Sequence, residues 1–299
     1  MSTFTLKTLP EEEYYLSGSA GCAGCAESLA ERLALKILGK NTIVVSVPSC
    51  ASVLLIFPLP TTRVPQHVSI FASAGAALSG IEAALRAKGK AEGVNVVGFI
   101  GDGGTFDIGF QALSAMVERG HNVIYFCLDN EAYMNTGGQR SGATPYGAYT
   151  ATTPVGRIWR GKPQSKKDIM SIIVDHRAPY VATASVAFPL DYVNKVRKAM
   201  TIKGPKFIHV HCPCPVGWGF ESSKTIEIAR LAVETRMWAL YEVEHGRYKI
   251  THKPRKPKPV RDYLLAQRRF RHLSDEEIDR IQSQVDKAWE TLLAREQPT

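Results

Sequence analysis

Four short apolar runs constrain this chain more than anything else in it. Residues 41–47 (NTIVVSV), 94–100 (VNVVGFI), 122–128 (NVIYFCL) and 206–211 (KFIHVH) are rich in β-branched and aromatic residues. The first two read as buried strands, the third and fourth as further strands. Helical patterns separate them. Residues 27–38 repeat Leu29, Leu33, Ala34, Ile37 and Leu38 at helical spacing, and Gly39 ends that helix. Residues 71–88 predict a helix of small residues suited to close packing, and residues 106–119 one with Ile108, Leu113, Met116 and Val117 inward. Residues 179–185 add a short strand and 189–200 a helix. Strand, loop, helix and strand in this order predict βαβ units. The expected class is therefore α/β, a mostly parallel sheet flanked by helices. Near the end, Ser274 and Glu277 predict a capping box. It opens a terminal helix with Ile278, Ile281, Val285, Trp289 and Leu292 on one face. The sequence has no internal repeat.

Composition narrows the class. The 299 residues suffice for one large α/β domain or two small ones, and 44% hydrophobic with 22% charged is ordinary for a globular protein. Residues 51–60 are apolar, but the run is too short for a membrane span and carries two prolines. No signal peptide is expected from the first residues, so a reducing cytoplasm is the expected location. There, six cysteines point to metal or redox chemistry rather than disulfides. The formal charge is +9, and residues 253–271 supply most of the excess, with eight Lys or Arg and one Asp. That stretch reads as a solvated, Pro-rich connector or as a docking surface for an acidic partner. No nucleic-acid recognition motif accompanies it.

The chemistry lies in the loops after the strands. Ligands of open parallel sheets bind beyond the carboxyl ends of the strands. Gly101-Asp102-Gly103-Gly104 and Asp129-Asn130 both fall there, with 26 residues between Gly103 and Asn130. Glycines let backbone N–H groups approach a phosphate. Asp102 and Asn130 offer the oxygen donors that a hard cation such as Mg²⁺ takes. A lone Gly-Asp-Gly also suits any tight turn; Gly-Asp-Gly after one strand and Asn after the next is far more specific. Residues 133–163 are rich in Gly, Thr and Pro, and a loop that long serves a site.

The cysteines form a second pattern. Cys22 and Cys25 make a C-A-G-C, Cys50 follows 25 residues later, and Cys212 and Cys214 lie far downstream. Such a pair is a dithiol redox couple, half a zinc site or half a cluster site. Zinc favours a second compact pair, whereas iron–sulfur clusters accept scattered ligands. Cys127 lies within an apolar strand and reads as inert core. His209 and His211 project to one face of the strand leading to Cys214, where they are satisfied buried histidines or tune a cluster. Ser114 and Ser141 lie in no nucleophile elbow.

Longer stretches carry a resemblance. GDGGTFDIGFQAL, DNEAYMNTGGQRSGATPYGA, PYVATASVAFP and GPKFIHVHCPCPVGW resemble the thiamine diphosphate-binding β subunit of 2-oxoacid:ferredoxin oxidoreductases of the pyruvate synthase type. The likeness runs from Gly21 to Trp218. It implies a thiamine diphosphate-binding fold over residues 21–245, an N-terminal arm over 1–20, and a basic C-terminal arm and helix over 246–299. It implies Mg²⁺ held by the side chains of Asp102 and Asn130 and the carbonyl of Ala132. Gly101, Gly103, Gly104 and Thr105 would line the diphosphate. Asn135 would reach toward the reacting carbon, and Glu27, two residues after Cys25, would approach thiamine, with Cys50 at the same interface. The resemblance also implies a 4Fe–4S cluster on Cys22, Cys25, Cys50 and Cys214, because the family motif is Pro-Cys-Pro followed by Gly-Trp. Cys212 is then a non-ligand neighbour. The implied reaction is oxidative decarboxylation of a 2-oxoacid, with electrons leaving singly through the cluster to ferredoxin. Coenzyme A accepts the acyl group in most members. Other subunits, of α, γ and δ types, complete the enzyme and normally supply the carboxylate that activates the aminopyrimidine.

One departure bears on substrate. Many relatives carry an aromatic-rich stretch with Phe-Glu-Asn where this chain has Phe57-Pro58-Leu59-Pro60-Thr61-Thr62-Arg63 and then Phe71-Ala72-Ser73. Pyruvate is the first expectation. Oxalate, with CO₂ as product and no coenzyme A, 2-oxoisovalerate and 2-oxoglutarate are the alternatives. Two competing classes are a non-oxidative thiamine decarboxylase with a zinc site, and a basic nucleic-acid-binding or scaffold protein.

Overall fold

The computed structural model describes residues 3–56 and 58–296. The elements run α1 (Ala26–Leu38), β1 (Thr42–Ser46), α2 (Cys50–Ile56), β2 (Gln66–Val68), α3 (Ala74–Ala87), β3 (Asn95–Gly101), α4 (Asp102–Phe106), α5 (Phe110–Glu118) and β4 (Ile124–Asp129). Then follow α6 (Ile169–Asp175), β5 (Tyr180–Ser185), α7 (Pro189–Thr201), β6 (Lys206–His211), α8 (Pro215–Trp218) and α9 (Thr225–Glu234). The chain closes with β7 (Leu240–Glu244), β8 (Arg247–His252), α10 (Val260–Leu265) and α11 (Asp275–Arg295). The strands form one sheet in the order β2-β1-β3-β4-β6-β5-β7-β8. Every pair from β2 to β5 is parallel; β7 and β8 join antiparallel. The expected α/β class is the observed one.

Burial explains the strand composition. β3, β4, β5 and β6 are buried nearly end to end because helices cover both faces. Phe99 and Phe126 are register partners and stack 5.0 Å apart. On their face, residues of α1 and α7, with Tyr192 fully buried, close the core; on the other, residues of α3, α5 and α6 do. The small residues of α3 serve the expected close approach. A Cβ built on Gly75 would lie 2.2 Å from the Ala112 carbonyl oxygen of α5. A third cluster joins Trp218, Trp238, Tyr263, Phe270 and Ile278 near the C-terminus, and the predicted capping box opens α11.

Several expectations need correction. Gly101–Gly104 is no loop: β3 ends at Gly101 and Asp102 begins the single helical turn α4. Tertiary fit overrides the poor helix propensity of glycine here. Ile108 is exposed rather than inward, because the chain breaks at Asp107 (φ −119°, ψ −97°) and resets the phase of α5. Residues 245 and 246 form the turn between the antiparallel strands β7 and β8. His245 (φ 48°) and Gly246 (φ 81°) both take the left-handed conformation of a tight hairpin turn. Phe57 lies outside the described residues. No described helix is long and apolar enough to cross a membrane.

Candidate functional site

The strand order reverses around β1, whose neighbours are β2 and β3. Beyond their carboxyl ends lies a cavity lined by Glu27, Cys50, Phe71, Gly101, Asp102, Gly103, Gly104, Asn130, Ala132, Tyr133 and Asn135. The predicted residues from four separate segments, Glu27, Cys50, 101–104 and 130–135, thus meet. Thr105 stands just behind: it is fully buried, and its hydroxyl donates to the Gly101 carbonyl at 2.9 Å.

Asp102 is buried, and Ser141 Oγ donates to its Oδ2. Burial, and then Asp129, push its carboxyl well above the usual carboxylate range. A buried carboxylate so placed favours a bound cation. Asn130 follows β4. Its Nδ2 donates to Glu27 Oε1 at 2.5 Å, its Oδ1 accepts from the Ala132 amide at 3.3 Å, and its carbonyl accepts from Trp218 Nε1 at 2.8 Å. Asp102, Asn130 and the Ala132 carbonyl form a set of hard oxygen donors that suits Mg²⁺. A Cβ on Gly103 would lie 2.3 Å from the Tyr133 ring, and one on Gly104 3.0 Å from Ile100, so a side chain at Gly103 would clash and one at Gly104 would crowd its neighbour.

Glu27 is 2% exposed. Its Oε2 has no protein partner, and burial pushes its carboxyl up to about 8. Such an orphaned buried oxygen fits a site completed by a bound polar group.

Beside the first cavity lies a second, lined by Cys22, Cys25, Cys50, Cys212 and Cys214. Glu27, Cys50, Asn130 and Asn135 line both cavities. All six cysteines are unbonded. Burial, followed by Glu27, pushes the Cys25 thiol up to about 12 and raises Cys50 further; Cys214, Cys25 and Cys22 add to the latter. Gly24 fits the Cys22–Cys25 turn at φ 73°, where a Cβ would lie 2.3 Å from the Ser222 carbonyl oxygen. Cys214 Sγ accepts from the Gly217 amide at 3.3 Å. Among the described residues, no three His, Cys, Asp or Glu donors are gathered as one metal ion needs. The thiols instead ring a cavity. Cys127 is fully buried in β4, and Cys212 is 1% exposed.

Sequence reasoning missed the charged layer beneath. Asp129 is fully buried, with Lys166 Nζ and His209 Nε2 each 2.6 Å away. Burial opposes its ionisation, yet Lys166 and His209 prevail and hold its carboxyl below the usual range. His211 Nε2 lies 3.3 Å from the Tyr263 hydroxyl, its Nδ1 is buried without a partner, and burial pushes its pKa down to about 3. His209 is partnered by Asp129, so only one of the two expected buried histidines bonds as expected and His211 is half satisfied. Lys166 sits in the connection between β4 and α6 without periodic neighbours, so no local signal could have found it.

Residues 51–210 match the family described as thiamine pyrophosphate enzyme, C-terminal TPP binding domain. The pyruvate synthase subunit PorB of Methanothermobacter marburgensis is 53% identical over 286 residues, covering 95% of this chain and 99% of that one. The chain is a β subunit of the 2-oxoacid:ferredoxin oxidoreductase family. The ketoisovalerate oxidoreductase subunit VorB of Pyrococcus furiosus is 47% identical over 293 residues, covering 95% and 94%. A solved 2-oxoglutarate:ferredoxin oxidoreductase from Magnetococcus marinus aligns with TM-score 0.59 at 20% identity, over 77% of this β subunit and 84% of that chain. That likeness supports the fold. As a family member, this β subunit is an oxidoreductase component, and other subunits complete it.

Proposed function

We propose that this β subunit holds thiamine diphosphate, Mg²⁺ and a 4Fe–4S cluster in a pyruvate:ferredoxin oxidoreductase. One observation carries the reading: Glu27, Cys50, Asn130 and Asn135 form a shared wall between the Asp102 cavity and the cysteine cavity. A wall one side chain thick brings an electron source and its acceptor close together.

In this reading Asp102, Asn130 and the Ala132 carbonyl hold the metal, and the floor of Gly101, Gly103, Gly104 and Thr105 accommodates the diphosphate. Thiamine diphosphate, when bound, supplies a carbanion nucleophile and an electron sink for the 2-oxoacid. Glu27, neutral at rest, keeps a proton at its carboxyl and offers Oε2 to the cofactor. Asn135, in the same wall, reaches toward the reacting carbon. Cys22, Cys25, Cys50 and Cys214 ligate the cluster. A cubane needs thiolates spaced around a body rather than converging on a point, which favours it over zinc. Ferredoxin takes the electrons and coenzyme A the acyl group.

Pyruvate is the substrate supported by the relatives named pyruvate synthase, at 53% and 50% identity. The whole complex, purified without air, tests this with pyruvate, 2-oxoisovalerate, 2-oxoglutarate and oxalate, a viologen acceptor, and coenzyme A present or absent. Pyruvate with coenzyme A should reduce viologen fastest. Faster reduction with oxalate, independent of coenzyme A, would overturn the choice.

A further inference from the structure

We infer that Arg269 is a positioning residue for the turn that carries Asn130 and Ala132, acting through the buried carboxylate of Glu131. The inference rests on the metal site proposed above. Glu131 stands between the two proposed metal ligands, with φ at 66°. A left-handed backbone is strained for a side-chain-bearing residue, so surrounding contacts must hold it. They are many. Glu131 Oε2 accepts from Arg269 Nη2 at 2.6 Å and Oε1 from Lys166 Nζ at 2.9 Å. Its amide donates to Asp129 Oδ1 at 2.9 Å, and its carbonyl accepts from Thr144 Oγ1 at 2.6 Å.

Arg269 reaches the same turn by a second route. Its guanidinium lies 3.7 Å from the Trp218 ring centroid, and Trp218 Nε1 donates to the Asn130 carbonyl. Gln267 Oε1 accepts from Arg269 Nε at 2.9 Å and fixes the fork. Arg269 belongs to the basic segment 253–271, yet it is 3% exposed, while its neighbours Arg268 and Arg271 are exposed. One cation of that segment therefore serves the site, not a solvated face. A planar guanidinium that donates to two acceptors and stacks on a ring does this where an ammonium cannot.

The bland alternative is that Arg269 cements the C-terminal segment to the sheet. The two differ in what they move. The assay uses the whole complex, stripped of Mg²⁺ and thiamine diphosphate by a chelator. It reads the Mg²⁺ concentration for half-saturating thiamine diphosphate binding by calorimetry, well below the melting temperature. Arg269→Gln should raise that concentration roughly 10–100-fold, the usual effect of removing a partner behind a metal ligand. Arg269→Lys should fall between it and wild type. Glu131→Gln should weaken Mg²⁺ likewise, and the Glu131→Gln, Arg269→Gln double variant should lose little more, because the two act as one unit. Lower melting of Arg269→Gln with unchanged Mg²⁺ dependence would overturn the inference, as would additive losses. If Arg269→Gln does not assemble, an unchanged Mg²⁺ dependence in Glu131→Gln overturns it alone. Asp102→Ala is the control: wild-type thiamine diphosphate binding in that variant refutes the site itself, independently of Arg269.

Discussion

Replacing Glu27 by Gln should make the cofactor-free protein more stable at alkaline pH and the enzyme much slower. Glu27 lies in the first turn of α1, and burial is the main cause of its raised carboxyl pKa, with Asp129 adding and the Asn130 hydrogen bond opposing. Its folded value of about 8 exceeds its ordinary 4.5, so the folded state binds the extra proton between those values. This contribution to stability is complete below pH 4.5, is lost as pH rises to about 8, and is constant above. Each pH unit is worth about 1.4 kcal/mol, so the window spans at most about 5 kcal/mol, and a responsive interior lowers that to about 2–3 kcal/mol. Glutamine keeps the shape and its carbonyl can still accept from Asn130. Wild type and variant should therefore melt together near pH 5, and the variant about 5 °C higher near pH 8.5. Glu31, fully buried one turn along with neither oxygen partnered, leaves a residual slope in both. Turnover should fall about 10²-fold or more if Glu27 handles a proton at the cofactor. Thermal scans of the cofactor-free complex across this range decide it. Parallel curves for the two proteins would refute the reasoning.

Three further outcomes follow from the same geometry. Asp102→Ala should lose Mg²⁺ and thiamine diphosphate while keeping iron, measured by metal analysis and cofactor assay. Cys214→Ser should lose or destabilise iron, and Cys212→Ser should not, because Cys212 packs in the apolar core; equal iron loss would reject the ligand assignment. Lys166→Met removes the shared cation between Asp129 and Glu131 and should destabilise the protein by about 3–5 kcal/mol, read by denaturant unfolding.

Much of this was legible because strands and motifs are local. The β-branched runs became β1, β3, β4 and β6; the residues after β1, β3 and β4 converge on one cavity, and those after β6 line the cysteine cavity beside it. Periodicity also found α1, α7 and α11. It missed β7 and β8, although LYEVE and RYKITH alternate around a His-Gly turn, since their charged residues mask the pattern. It missed α2, whose seven residues are too few for a helical period. Ser141, Lys166 and Arg269 were invisible for a different reason. Each meets its partner across 35 residues or more, in contacts no window of sequence contains.

The central claim is that one wall separates electron source from acceptor. Adding pyruvate and coenzyme A to the air-free complex, while following its iron–sulfur absorbance, tests that most directly. The absorbance should bleach in wild type and persist in Asp102→Ala with its iron intact. A colourless, zinc-loaded protein, or bleaching that survives Asp102→Ala, would contradict it.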